Sequence, residues 1–139
     1  MEVWVESTSL YQTNRVADAI TILREFLDGT AIDEKTAVLA NNLANFVTEA
    51  CLDRPKIDKD AQREVSSLLA KIEPFAGSFE ESAYINTRGA YLVVFGEEDT
   101  LDEGLRLIGE ASKLLSSGKV GHGYCELYQS HGWRRKLRL

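Results

Sequence analysis

Asn41-Asn42-Leu43-Ala44-Asn45-Phe46-Val47 and Asn86-Thr87-Arg88-Gly89-Ala90-Tyr91-Leu92 lie 45 residues apart in a chain of 139. At that offset they pair Asn with Asn, Ala with Gly, Asn with Ala, Phe with Tyr and Val with Leu. In each, a small residue is followed two positions later by a large aromatic. A loop and a second amphipathic segment come next. The small residue lets a partner backbone approach, and the aromatic fills the space beside it, as one helix of a tight hairpin needs. Self-similarity at such a period marks repeated hairpins.

The flanking sequence supplies the other helices. Val16, Ile20, Leu23 and Leu27 recur at helical spacing and predict a first helix from about Ser9 to Asp28, stopped by Gly29. Asp33 is placed to cap a second helix, rich in small apolar residues, that reaches Leu52 before the breaker Arg54-Pro55. Asp58 opens a third, carrying Val65, Leu68, Leu69 and Ile72 and ending near Pro74. Ser78 to Glu81 and Thr100 to Glu103 are capping-box patterns. They open a fourth helix, to Phe95 and Gly96, and a fifth with Leu101, Leu105, Ile108, Ala111 and Leu115 on one face. Ser116-Ser117-Gly118 ends it, and a short sixth helix runs from about Gly121 to Ser130. Tyr91-Leu92-Val93-Val94-Phe95 has strand propensity. A lone strand would leave its ladder unpaired, so the run is assigned to the fourth helix. The expected fold is all-α. Antiparallel helical hairpins stack as a short repeat-like bundle of five to six helices, in one domain over residues 1–139 with a basic tail over 133–139.

The repeated segment resembles a tetratricopeptide-repeat hairpin over about residues 34–115. Gly89 and Tyr91, and earlier Ala44 and Phe46, match the small residue and aromatic of that family's first helix. Gly104 and Ala111 match the small residues seven apart on the second helix, with Ile108 at the bulky position between them. Three features depart from the family. The loop Gly96-Glu97-Glu98-Asp99 is longer than its turn, the linker from Asp53 to Asp58 is longer still, and no proline follows Ala111, although Pro74 follows the earlier hairpin. The resemblance implies a right-handed stack of hairpins whose first helices line a concave face that binds peptides or partner proteins.

Composition narrows the function classes. Two cysteines, Cys51 and Cys125, sit in apolar runs and offer no disulfide framework, which fits a reducing, cytoplasmic setting. The N-terminus lacks a basic n-region and a long apolar h-region, so no secretory leader is expected, and no apolar stretch is long enough to span a membrane. The net charge is −6, with four basic residues (Arg134, Arg135, Lys136, Arg138) among the last six. The remainder is therefore more acidic than the whole. An acidic body argues against nucleic acid, whose affinity comes from phosphate neutralisation. The tail is read as a basic helix end that complements the helix dipole and folds back on the body. Trp133 and Leu137, four apart, are placed to pack on the preceding hairpin.

The concave face nominates Asn41, Asn45, Asn86 and Arg88 as binding residues. Asn41 and Asn45 share a helix face, and Asn86 is the repeat equivalent of Asn41. Asn is a poor helix former, so its concentration in these two helices calls for a reason. One reason is a ladder of amide donors and acceptors gripping an extended peptide; the other is solvated surface or bonding between hairpins. His122, Cys125 and His131 fall short of a zinc ligand set. Gly118-Lys119-Val120-Gly121-His122-Gly123 lacks the spacing and context of a phosphate loop. Cys125 beside His122 has no nameable oxyanion donor. No catalytic residue, metal or cofactor is therefore assigned. The expected function is a protein-protein interaction module, with homodimerisation within its range. Two alternatives stay open: a small acidic inhibitor of the immunity-protein or antitoxin kind, and a small-ligand binder or enzyme with a pocket near Tyr84, Tyr91 and Tyr124.

Overall fold

Asn14 decides how the N-terminal third folds. Its φ is +64°, in the left-handed region that Asn tolerates better than most residues. The Arg15 N–H reaches back to the Leu10 carbonyl at 2.7 Å and the Asn14 N–H to that of Tyr11 at 3.1 Å, the paired bonds of a Schellman stop. The single helix expected from Ser9 to Asp28 is therefore two, α1 (Glu2–Gln12) and α2 (Val16–Leu27), folded into a hairpin. The computed structural model describes residues 2–115 and 122–138, the side chains of 122–124 excepted.

Five further α-helices follow: α3 (Ala37–Ala50), α4 (Lys59–Ile72), α5 (Glu81–Phe95), α6 (Leu101–Leu114) and α7 (His122–Leu137). No strand occurs among the described residues, so the fold is all-α, with seven helices in place of five to six. The extra helix comes from the break at Asn14. The last helix also runs to Leu137, beyond the expected Ser130, so most of the basic tail is helical. The helices pair as α1 with α2, α3 with α4 and α5 with α6, and α7 packs on α5 and α6. None is long and apolar enough, among the described residues, to cross a membrane.

Helix ends follow the sequence unevenly. Gly29 takes φ +70° just past α2. Asp58 caps α4 by accepting from the Asp60 and Ala61 N–H groups, and these bonds, with Arg54 alongside, hold its carboxyl below the usual range. Asp33 Oδ1 accepts from the Lys35 and Thr36 N–H groups in the turn that leads into α3. Neither capping box forms. A 3-10 segment, Glu73–Ser78, begins around Pro74 and absorbs Ser78, whose hydroxyl donates to the Phe75 carbonyl. A second, Glu98–Thr100, runs directly into α6, so the Thr100 hydroxyl donates back to Glu97 and Glu103 pairs with Arg106. The Ser116-Ser117-Gly118 stop lies outside the described residues.

The tightest packing lies between α5 and α6. A Cβ on Gly89 would stand 2.8 Å from the Gly104 carbonyl oxygen and 2.7 Å from Ile108 Cγ1, and one on Gly104 would stand 3.0 Å from the Gly89 carbonyl oxygen. Ile108 and Ala111 are fully buried beside this contact. Burial of Val93, Val94 and Phe95 in the core holds the β-branched run helical against its local preference. Gly132 of α7 closes on the same region, where a Cβ would meet Leu105 Cδ2 at 2.6 Å and Val93 Cγ1 at 3.2 Å.

Gly89→Ala should cost about 1–3 kcal/mol by driving a methyl into a facing backbone oxygen. Gly109→Ala, in the same α6 but with only Gln129 Nε2 near, at 3.9 Å, should gain about 0.5–1 kcal/mol from helix propensity. Urea unfolding of the two variants reads opposite signs.

Candidate functional site

The first helices of the three hairpins border one concavity of about 280 Å³. α1 contributes Trp4, Thr8 and Tyr11, α3 contributes Asn41, Asn45 and Phe46, and α5 contributes Ser82 and Asn86. Part of the lining is aromatic, drawn from α1 and α3. Tyr11 and Phe46 stack with ring centroids 4.4 Å apart and planes 5° from parallel, and the Tyr11 hydroxyl donates to Glu49 Oε2 at 2.5 Å. Trp4, at the rim, is 42% exposed.

The rest of the lining includes amide and hydroxyl side chains. Asn41, Asn86 and Ser82 are 3%, 6% and 3% exposed, yet Asn41 Oδ1, Asn86 Oδ1 and Ser82 Oγ have no hydrogen-bond partner among the described residues. Leaving a buried acceptor unsatisfied costs about 1–3 kcal/mol, so three in one concavity is a concentrated expense. All three belong to residues that line the same space. Ser82 and Asn86 are four apart, as are Asn41 and Asn45, so each helix presents a matched polar pair.

The nominated residues separate into three roles. Asn41 and Asn86 meet in the concavity as unsatisfied acceptors. Asn45 also borders it, but its side chain is engaged: the Tyr128 hydroxyl of α7 donates to Asn45 Oδ1 at 2.8 Å, with the Asn45 carbonyl oxygen 3.1 Å away. Arg88 is elsewhere. It follows Asn86 by two residues, about 200° around the helix. There it sits 5.8 Å from the Tyr84 ring centroid, beside a shallow space that Tyr91 and Glu73 also line. Sequence reasoning missed Ser82, Trp4 and Tyr11. The four-residue spacing of Ser82 from Asn86 was a usable signal; the aromatics of α1 became visible only once the break at Asn14 turned α1 back alongside the stack.

The other candidates fall into place around this site. Cys51 and Cys125 are free and buried, and burial pushes both thiols up, away from thiolate. Burial likewise raises the Tyr84 hydroxyl above its ordinary value. The side chains of His122 and Tyr124, and most of the Gly118 to Gly123 run, lie outside the described residues. Among the described residues no group of three His, Cys, Asp or Glu side chains stands close enough to hold a metal. Two of the tail's cations have structural partners. Arg135 donates to the Val93 carbonyl at 2.7 Å and the Gly96 carbonyl at 2.5 Å, and Lys136 pairs with Asp102 at 2.8 Å. Trp133 and Leu137 are exposed rather than buried against the preceding hairpin.

No family model, curated protein or solved structure matches the chain.

Tyr128→Phe removes the donor to Asn45 Oδ1 and leaves a buried acceptor behind, which should lower stability by about 1–3 kcal/mol. A double-mutant cycle with Asn45→Ala, read by chemical denaturation, should return a nonzero coupling.

Proposed function

We propose that this chain is a protein-interaction module that takes an extended segment of a partner into the concavity bordered by α1, α3 and α5. The observation that carries the reading is the set of three unsatisfied buried polar atoms, Asn41 Oδ1, Asn86 Oδ1 and Ser82 Oγ, in residues that border one concavity together with the aromatic rings of Trp4, Tyr11 and Phe46. Buried acceptors want N–H or O–H donors. An extended peptide offers a backbone N–H at every residue and side chains alternating to either side. Its N–H groups would pair with the Asn41 and Asn86 amides as these side chains turn toward it, while an apolar side chain packs on the Tyr11 and Phe46 rings. The close Gly89 and Gly104 contact and the shared border of three first helices support a tetratricopeptide-like stack with its groove on that side. Two free buried cysteines support a reducing, cytoplasmic setting.

The buried amides make stability and binding move in opposite directions. Asn41→Leu with Asn86→Leu removes two buried unsatisfied acceptors, so the double variant should melt at a higher temperature than wild type. The same variant should lose at least tenfold in affinity for peptides selected by wild type from a random display library, one lost hydrogen bond being worth that much when its partner stays buried. Peptides that bind both proteins equally would remove the concavity from consideration. A selected motif matching a segment of the chain itself would make the partner a second copy.

A further inference from the structure

A second concavity, of about 360 Å³, lies where the connection from α3 to α4 faces α7. On α7, His131, Arg134, Arg135 and Arg138 fall at spacings that place them on one face. Across from them stand Asp53, Arg54, Lys56 and Asp58, and Val94 and Phe95 at the end of α5 form the floor.

The charges here divide into those already used and those not. Arg54 pairs with Asp58 at 2.7 Å. Arg135 is spent on the carbonyl oxygens at the C-terminus of α5, which cancels the partial negative charge that a helix end would otherwise present to the concavity. Lys56, Arg134 and Arg138 have no ion-pair partner among the described residues, and Asp53 is the acidic group left to oppose them. Three unpaired cations around one concavity focus a positive field inside it, in a chain whose net charge is −6. His131 registers that field. Burial first, and then Arg134, Arg135 and Arg138, hold its imidazole below the ordinary value, with Asp53 acting the other way.

We propose that this concavity binds a phosphate group, held by Arg134, Arg138 and Lys56. Guanidinium forks match a phosphate's oxygens in pairs, and a phosphate near neutral pH carries enough charge to balance three cations against one carboxylate. The space accommodates a single phosphate and a small organic body. The acidic remainder of the chain disfavours a polyanion such as nucleic acid. The site shares no lining residue with the α1–α3–α5 concavity and stands independently of the function proposed for it.

The test follows the His131 ring by proton NMR, assigned with His131→Gln, while inorganic phosphate, phenyl phosphate or sodium chloride is added at matched ionic strength. Bound phosphate offsets the neighbouring arginines, so His131 should titrate at higher pH with phosphate or phenyl phosphate than with chloride. Tighter binding of phenyl phosphate would identify a phosphate ester as the ligand form; equal binding would identify the free ion. Arg134→Gln with Arg138→Gln, both exposed and away from the core, should weaken binding at least tenfold with circular dichroism unchanged. Asp53→Asn should tighten it about threefold. Asn41→Leu with Asn86→Leu should leave it unchanged. An equal response to chloride, or undiminished binding by the double arginine variant, would overturn the proposal.

Discussion

The backbone contact of Gly89 with Gly104 is the constraint on which the rest of the molecule depends. It fixes how closely α6 lies on α5, and α7 packs on both. Gly132 lets α7 approach Leu105 and Val93, which brings the Tyr128 hydroxyl to Asn45 and the Arg135 guanidinium to the last carbonyls of α5. One pair of missing side chains thus governs the end of the polar concavity and the wall of the basic one. Packing of this density transmits position because interiors have little free space to absorb a shift.

The two concavities use polarity differently. In the first, neutral amide and hydroxyl oxygens are buried without partners, a cost a core built only for stability would avoid by placing Leu or Val at those positions. In the second, the polar groups are charged and largely exposed, and water screens them. The first is distinguished by the geometry of its neutral polar groups, the second by its charge.

The all-α class, the hairpin order and the small-residue contact were legible because they rest on local rules. Val16, Ile20, Leu23 and Leu27 repeat at helical spacing, and Gly89, Gly104 and Ala111 sit where two backbones must meet. Asn41 and Asn86 drew notice for the same reason, as poor helix formers at matching places in two similar segments, and both border the concavity. What escaped was set by neighbours. Asn14 took the left-handed stop that a stripe of apolar residues does not reveal. Ser78 and Thr100 were drawn into 3-10 turns, so their capping patterns were never completed. Arg88 and Asn86 are two residues apart in sequence but diverge around the helix, and only tertiary packing shows which borders the concavity.

The helix α1 differs from the other walls of its concavity in how firmly it is held. Ser7 is its one buried residue among those described, whereas α3 and α5 each bury a large part of their length. Its attachment beyond α2 includes the Tyr11 stack on Phe46 and the Tyr11 bond to Glu49. Local opening draws on the elements with the fewest buried contacts. The concavity thus has two firmly held sides and one compliant side, and the compliant side carries Trp4 and Tyr11. The width of the concavity can vary at small energetic cost, while the spacing of Asn41 and Asn86 is set by the buried helices α3 and α5 and stays constant.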